Sequence, residues 1–282
     1  MNNIWVVAKA SVIGNSHIKE ELLCQDSYAY EFFPDDDFAI AVVSDGAGSA
    51  EFSHIASQQV VNQAMDEFSK IVKSEKLNLI KPSDDIWQKQ AIETFKIISQ
   101  SIKKFSETEN LNFKSLGATA IVMIIVPYGL LTAHIGDGRA GYLNGNGLWN
   151  SCMTPFKGEL ANETVFITSD FWEEKKLDRF IECRVIEDSV EAFTLLSDGC
   201  ENTCFQLNQF NDETKLYQRM NNPYAGFYNP NIEVLKTLHN HGLSEKEIDS
   251  IWRDFLANGI ESFASEPDDK TLLLGVRINN AK

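Results

Sequence analysis

The stretch VVSDGAGSA, residues 42–50, runs an apolar strand pattern straight into Asp45-Gly46, and LLSDGCENT, residues 195–203, repeats the device at Asp198-Gly199. The strand side is rich in apolar residues in each case, Val, Ile, Ala and Phe in FAIAVVSD (38–45) and Ala, Phe and Leu in EAFTLLSD (191–198), the composition of a buried strand. Each block ends on a carboxylate beside a residue with no side chain, so a sheet rim holds the acid rigidly where other backbone or a ligand can approach. A third aspartate, Asp268, stands just before the final strand pattern, KTLLLGVRI. For any one of them, Asp-Gly is ordinary turn chemistry. Three on one rim would repel one another unless a divalent cation neutralised them, which points to metal.

Around these blocks the pattern alternates in type. Strands read at IWVVAKASVI (4–13) and DSYAYEFF (26–33). A helix follows from Phe52, with Ile55, Ala56, Val60, Ala64, Phe68 and Ile71 on one face, and a second begins after Pro82-Ser83, with Asp84 and Asp85 in its first turn and Trp87, Ala91, Phe95, Ile98, Ile102 and Phe105 in a stripe. After Gly117 the period returns to strand through ATAIVMIIV, LLTAHIG and RAGYLNGNGLW, whose Asn-Gly pairs are hairpin-turn chemistry. ETVFITS (163–169) and FIECRVIE (180–187) read as further strands, and a helical stretch is expected from about 201 to 258. Consecutive strands without intervening helices pair antiparallel, so the class is α+β, with two antiparallel sheets packed together and helices outside. No internal repeat or low-complexity linker is visible, and residues 1–282 read as one domain with a helical or irregular segment at about 201–265.

At 282 residues and 43% hydrophobic the chain can bury a sizeable core. Its formal charge of −16 argues against nucleic acid or an anionic membrane as partner. The start lacks a basic segment, with Lys9 breaking the apolar run, and GATAIVMIIVPYGLLTA is interrupted at Pro127-Tyr128-Gly129; neither a secretory signal nor a membrane span is expected. Five scattered cysteines (Cys24, Cys152, Cys183, Cys200, Cys204) suit a reducing, cytoplasmic setting, and the pair Cys200 and Cys204 has no partner pair at zinc spacing. GDGRAGYLNGNG is glycine-rich but lies between strands, so it is no dinucleotide loop. DDDFA (35–39) precedes a strand, where an aspartyl-nucleophile phosphatase needs its aspartates after one.

Taken in order, the blocks SVIGNSHIKEELLCQDSY, VVSDGAGSAEFSHIAS, LGATAIVMII, AHIGDGRAGYL, NETVFIT, LLSDGCENT and PDDKTLLLGV resemble the metal-dependent protein phosphatases of the protein phosphatase 2C type, in particular the bacterial branch. The resemblance implies two central antiparallel sheets flanked by helices in four layers, and a Ser/Thr phosphoprotein phosphatase in which a hydroxide bridging two Mn²⁺ or Mg²⁺ ions attacks phosphorus. It places Asp45 as the carboxylate bridging the ions, Gly46 as a carbonyl ligand, Asp198 and Asp268 as further ligands, Asp26 as an acid acting directly or through water, and Asp137 as a ligand of a weaker third ion. Many members carry an Arg three residues after the glycine of the first block to grip phosphate; here that position is His17, and Lys19 is a second phosphate-binding candidate. Ala47 stands where eukaryotic members have a general-acid His, while His54 and His134 read as structural. The expected partner is a phosphoprotein, the substrate of an opposing Ser/Thr kinase. Two alternatives stay open: a phosphatase-like regulatory or binding module with little catalysis, motivated by the missing Arg, and a phosphatase of small-molecule phosphates. The stretch NNPYAGFYNPN, broken by Pro223, Gly226 and Pro230, is either a substrate-facing flap or a plain connection.

Overall fold

The computed structural model of the chain describes residues 3–156, 164–174 and 177–279. Its strands are β1 (Asn3–Val12), β2 (Ser27–Phe33), β3 (Phe38–Ser44), β4 (Ala120–Val126), β5 (Gly129–Ile135), β6 (Arg139–Asn144), β7 (Trp149–Ser151), β8 (Glu182–Glu187), β9 (Val190–Leu196), β10 (Phe205–Asn211), β11 (Leu216–Pro223) and β12 (Lys270–Asn279). Its helices are α1 (Asn15–Lys19), α2 (Ser53–Glu75), α3 (Asp84–Thr108), α4 (Glu201–Cys204), α5 (Ala225–Asn240), α6 (Glu245–Asp254) and α7 (Glu261–Ala264). They group into two compact units, one built from Leu23–Gly138 and Met153–Ser189, the other from Met1–Leu22, Arg139–Cys152 and Val190–Lys282.

The first unit holds a five-stranded antiparallel sheet in the order β2-β3-β4-β5-β8. Every residue of β3, β4 and β5 is buried, which is why these strands read as unbroken apolar runs rather than alternating ones. Helices α2 and α3 cover the sheet with the faces expected from their period: Ala56, Val60, Ala64 and Phe68 of α2 and Trp87, Ala91, Phe95, Ile98 and Ile102 of α3 lie in one core with Ile40, Val42, Val122 and Leu131. Each large apolar side chain so buried contributes roughly 1.5–3 kcal/mol. The Ser83 hydroxyl caps α3 by accepting from the Ile86 amide at 3.4 Å, and Trp87 adds a hydrogen bond from its indole N–H to the Thr132 carbonyl at 2.9 Å.

The second unit holds the sheet β1-β12-β9-β6-β7 and the separate hairpin β10-β11. Leu272, Leu274 and Val276 of β12, with Val6, Ala8 and Ala10 of β1, form a core with Phe227, Tyr228, Ile232 and Leu235 of α5 and Ile248 and Trp252 of α6.

Three local readings are corrected. The stretch from about 201 to 258 is not helical throughout, because β10 and β11 pair within it. Their turn is set by Asn211, whose side-chain oxygen accepts from the Glu213 and Thr214 amides at 2.9 and 3.0 Å, an Asx turn that competes with helix. Helix α5 then runs through Pro230, since a proline near a helix start forfeits only the bond to the Gly226 carbonyl. ETVFITS forms no strand over Thr164–Ser169; the Phe166 amide donates to the Ser169 hydroxyl and the Ser169 amide to the Phe166 carbonyl, both at 3.0 Å, closing a turn. Glu163, the first residue of that stretch, lies outside the described residues.

Candidate functional site

In the first unit, the β3 block ends with Asp45 half-buried and Gly46 buried. Three hydrogen bonds to one threonine fix this rim: the Asp45 amide donates to the Thr119 hydroxyl at 2.9 Å, the Thr119 amide donates to the Asp45 carbonyl at 2.8 Å, and the Ser44 hydroxyl donates to the Thr119 carbonyl at 2.6 Å. Thr119 is buried, so these bonds are made away from water, where they hold geometry best. Gly46 has no room for a side chain: a Cβ there would lie 2.6 Å from the Gln25 carbonyl oxygen and 2.8 Å from that of Ser53. Asp26, buried, follows Gln25 immediately and precedes β2.

Asp137 follows β5 and is half-buried; the Thr164 hydroxyl donates to its Oδ2 at 2.5 Å. Asp45 and Asp137 each offer a carboxylate oxygen, and the two lie within 4.8 Å of one another. Two carboxylates that close, set on rigid strand ends, form an all-oxygen donor set of the kind that hard divalent cations prefer. The residues present therefore fit a Mg²⁺- or Mn²⁺-type ion.

In the second unit, three segments meet at the start of β12. Asp198 opens a short turn after β9, and Gly199 beside it presses on the Asp269 backbone: a Cβ would sit 2.1 Å from the Asp269 carbonyl oxygen. Gly14 presses on the same loop, where a Cβ would lie 2.3 Å from the Asp268 carbonyl carbon. The Ser197 amide donates to the Thr271 carbonyl at 3.1 Å, and the Thr271 amide to the Ser197 hydroxyl at 3.0 Å. Asp198 and Asp268 are thus brought onto one rim by backbone packing that only glycine permits. Asp268 is exposed, and next to it Asp269 is 2% exposed.

His17 lies in α1, its Nδ1 2.9 Å from the Asp269 carboxylate, while Lys19 is exposed two residues on. Asp269 is a residue the sequence reading passed over, although PDDK displays it beside Asp268. Thr119 and Thr164, which hold Asp45 and Asp137, were passed over too. Their signal was weak, since a threonine in GATA or NETV looks like any strand threonine. His54 is half-buried at the start of α2, and His134 is buried in β5, where burial pushes its imidazole down to about 4 against the partial compensation of nearby Glu182. Among the described residues no helix is long and apolar enough to cross a membrane.

Comparison with known proteins gives consistent likenesses. The profile of the family described as protein phosphatase 2C matches residues 13–240. The serine/threonine-protein phosphatase 3 of Escherichia coli (strain K12) is 29% identical, over 96% of this chain and 98% of its own length. A solved bacterial serine phosphatase superposes with a TM-score of 0.55 at 14% identity, covering 100% of this chain and 99% of that one. The catalytic domain of the serine/threonine protein phosphatase PstP, solved with two manganese ions, gives a TM-score of 0.53 at 16% identity over 99% of this chain and 100% of that one. At such identities the superpositions establish the fold, which is the α+β, two-sheet architecture expected from the sequence.

Proposed function

The chain belongs to the protein phosphatase 2C family, and from that membership together with the carboxylate rims we propose that it is a metal-dependent Ser/Thr phosphoprotein phosphatase working with two divalent ions, Mn²⁺ or Mg²⁺. The observation that carries the reading is the pair Asp45 and Asp137, converging within 4.8 Å on strand ends.

Asp45, the Gly46 carbonyl, Asp198 and Asp268 are the proposed ligands of the two ions, with Asp26 acting directly or through water and Asp137 serving a third, weaker ion. When bound, such ions lower the pKa of coordinated water and offset charge on the phosphoryl oxygens. The chain's own part is positional. Thr119 fixes Asp45, Thr164 fixes Asp137, and Gly14 and Gly199 seat the Asp268 loop, so the acids need little reorganisation when an ion arrives. His17 and Lys19 are the proposed phosphate-binding residues, His17 offering a directed N–H and Lys19 a point charge. Residues 1–282 act as one catalytic domain in the cytoplasm, on phosphoproteins made by an opposing Ser/Thr kinase.

Hydrolysis of p-nitrophenyl phosphate with Mn²⁺, with Mg²⁺ and with EDTA, run beside Asp45→Asn, tests the reading. Turnover that needs the ion and vanishes in the variant, with Mn²⁺ affinity lost by calorimetry, is expected. Full activity of Asp45→Asn, or turnover unaffected by EDTA, would overturn it.

A further inference from the structure

Next to the Asp45 rim, within the first unit, a cleft of about 570 Å³ is lined by Ala47, Glu51, Lys114, Gly117, Phe166 and Asp170, among others. One wall is the backbone immediately after Gly46, where the Ala47 amide donates to the Gly117 carbonyl at 2.9 Å. The cleft stays open there because both residues are minimal; a Cβ on Gly117 would already lie 2.9 Å from that of Ala47. Ser169 and Asp170, which line this cleft, also line a second cavity of about 280 Å³ over α3, with Lys96, Lys103, Trp172 and Glu173. The two cavities share these walls and adjoin, making a groove beside the Asp45 rim.

The charged groups of the larger cavity are Glu51, which is exposed and has no ion-pair partner among the described residues, and the pair Lys114 and Asp170, 3.3 Å apart. The cavity over α3 adds Lys96, Lys103 and the carboxylate of Glu173. Ser49, Ser115, Thr168 and Phe166 also line the larger cavity. A small phosphate ester occupies only the catalytic rim, whereas a groove of two adjoining cavities with an apolar patch, hydroxyls and separated charges fits a polymer that presents successive side chains.

We propose that this groove docks the polypeptide flanking the phosphorylated residue, with Glu51 selecting a basic side chain beside the phospho-Ser or phospho-Thr and the α3 lysines taking an acidic one further along. The inference rests on the phosphatase reading above and names the substrate class more narrowly: phosphoproteins with a basic residue next to the phosphosite. The acidic excess of the whole chain, −16, favours the encounter with such segments.

The test is fluorescence anisotropy with two peptides that carry a non-hydrolysable phosphonate in place of phosphoserine, one with Arg on both sides of it and one with Glu. The full chain is expected to bind the Arg peptide roughly fivefold tighter, the scale of one exposed ion pair and its like-charge reversal. Glu51→Lys and Asp170→Lys, both surface changes, should each abolish or invert the preference while p-nitrophenyl phosphate turnover matches the wild type. A wild type without preference, or variants that keep it, would overturn the docking groove. A retained, Glu51-dependent preference in a chain that hydrolyses no phosphoester with Mn²⁺ would support the groove and sink the phosphatase reading instead.

Discussion

The Nδ1 atom of His17 lies 2.9 Å from Oδ1 of Asp269, and that same carboxylate oxygen accepts the Gly14 amide at 2.7 Å. One buried carboxylate therefore accepts from the backbone entering α1 and lies within ion-pair distance of the imidazole on it, whose Nδ1 is out of line for a hydrogen bond to it. The proximity places His17, whose side chain is 12% exposed, beside the Asp268–Asp269 loop rather than out on the surface.

If His17 grips phosphate, His17→Ala removes one charge-assisted hydrogen bond, a loss of roughly 1.5–3 kcal/mol. The expected result is a KM for p-nitrophenyl phosphate raised at least tenfold, with Mn²⁺ affinity unchanged. Asp269→Asn should raise KM in the same direction, with a changed ¹⁵N signature of the His17 ring that a purely structural role of Asp269 would not require. An unaltered KM in His17→Ala would remove His17 from the site.

Thr119 is the hinge of the Asp45 rim, and Thr119→Val keeps its shape while deleting the hydroxyl that accepts the Asp45 amide. A buried donor left without a partner costs about 1–3 kcal/mol. The variant should lose about that much stability in urea denaturation and also bind Mn²⁺ more weakly, because Asp45 is no longer held. Stability lost with metal affinity fully retained would show that Thr119 supports the core but not the ligand.

The legible parts of this chain were those where one physical demand dominated the sequence. Strands β3 and β4 are buried on both faces, so FAIAVVS and AIVMIIV could be little else, and the stripes of α2 and α3 hold most of the apolar residues that they bury, Val61 and Val72 excepted. The hairpin was hidden because β10 and β11 are mostly exposed: QLNQFN and LYQRMNN carry no core pattern, and the deciding signal was the Asn211 side chain acting on its own turn. Asp45 and Asp198 could be picked out because Asp-Gly follows a buried strand. Asp269 could not, since its role depends on where Gly14 and His17 return in space, a contact between residues at opposite ends of the chain.

His134 makes stability fall with acid. Burial pushes its pKa down to about 4 from the ordinary 6.5, so below pH 6.5 the unfolded chain takes up a proton that the folded chain refuses until about pH 4. The folded state should lose about 2 kcal/mol by pH 5 from this group alone. Thermal melts at pH 7.5 and 5 should show a smaller drop for His134→Gln than for the wild type, and equal drops would mean that His134 is not buried in its neutral form.

Arg139 and Glu201 form a largely buried ion pair in the second unit. Nε and Nη2 of the guanidinium donate to the same Glu201 oxygen at 3.0 and 2.8 Å, with side chains 6% and 13% exposed, and Nη1 donates to Asn221. The pair thereby pins β6, α4 and β11 together, and the Arg139 plane lies over the Phe205 ring at 5.4 Å. Glu201→Ala strands a guanidinium that cannot shed its proton, and breaking one side of such a pair costs about 3–5 kcal/mol. Removing both charges in Arg139→Met/Glu201→Leu should cost far less, because no charge is left buried. Urea denaturation of Arg139→Met, Glu201→Leu and the double variant gives the coupling energy directly. Near-additive losses would mean that the pair is solvated and that hydrophobic contacts hold the hairpin.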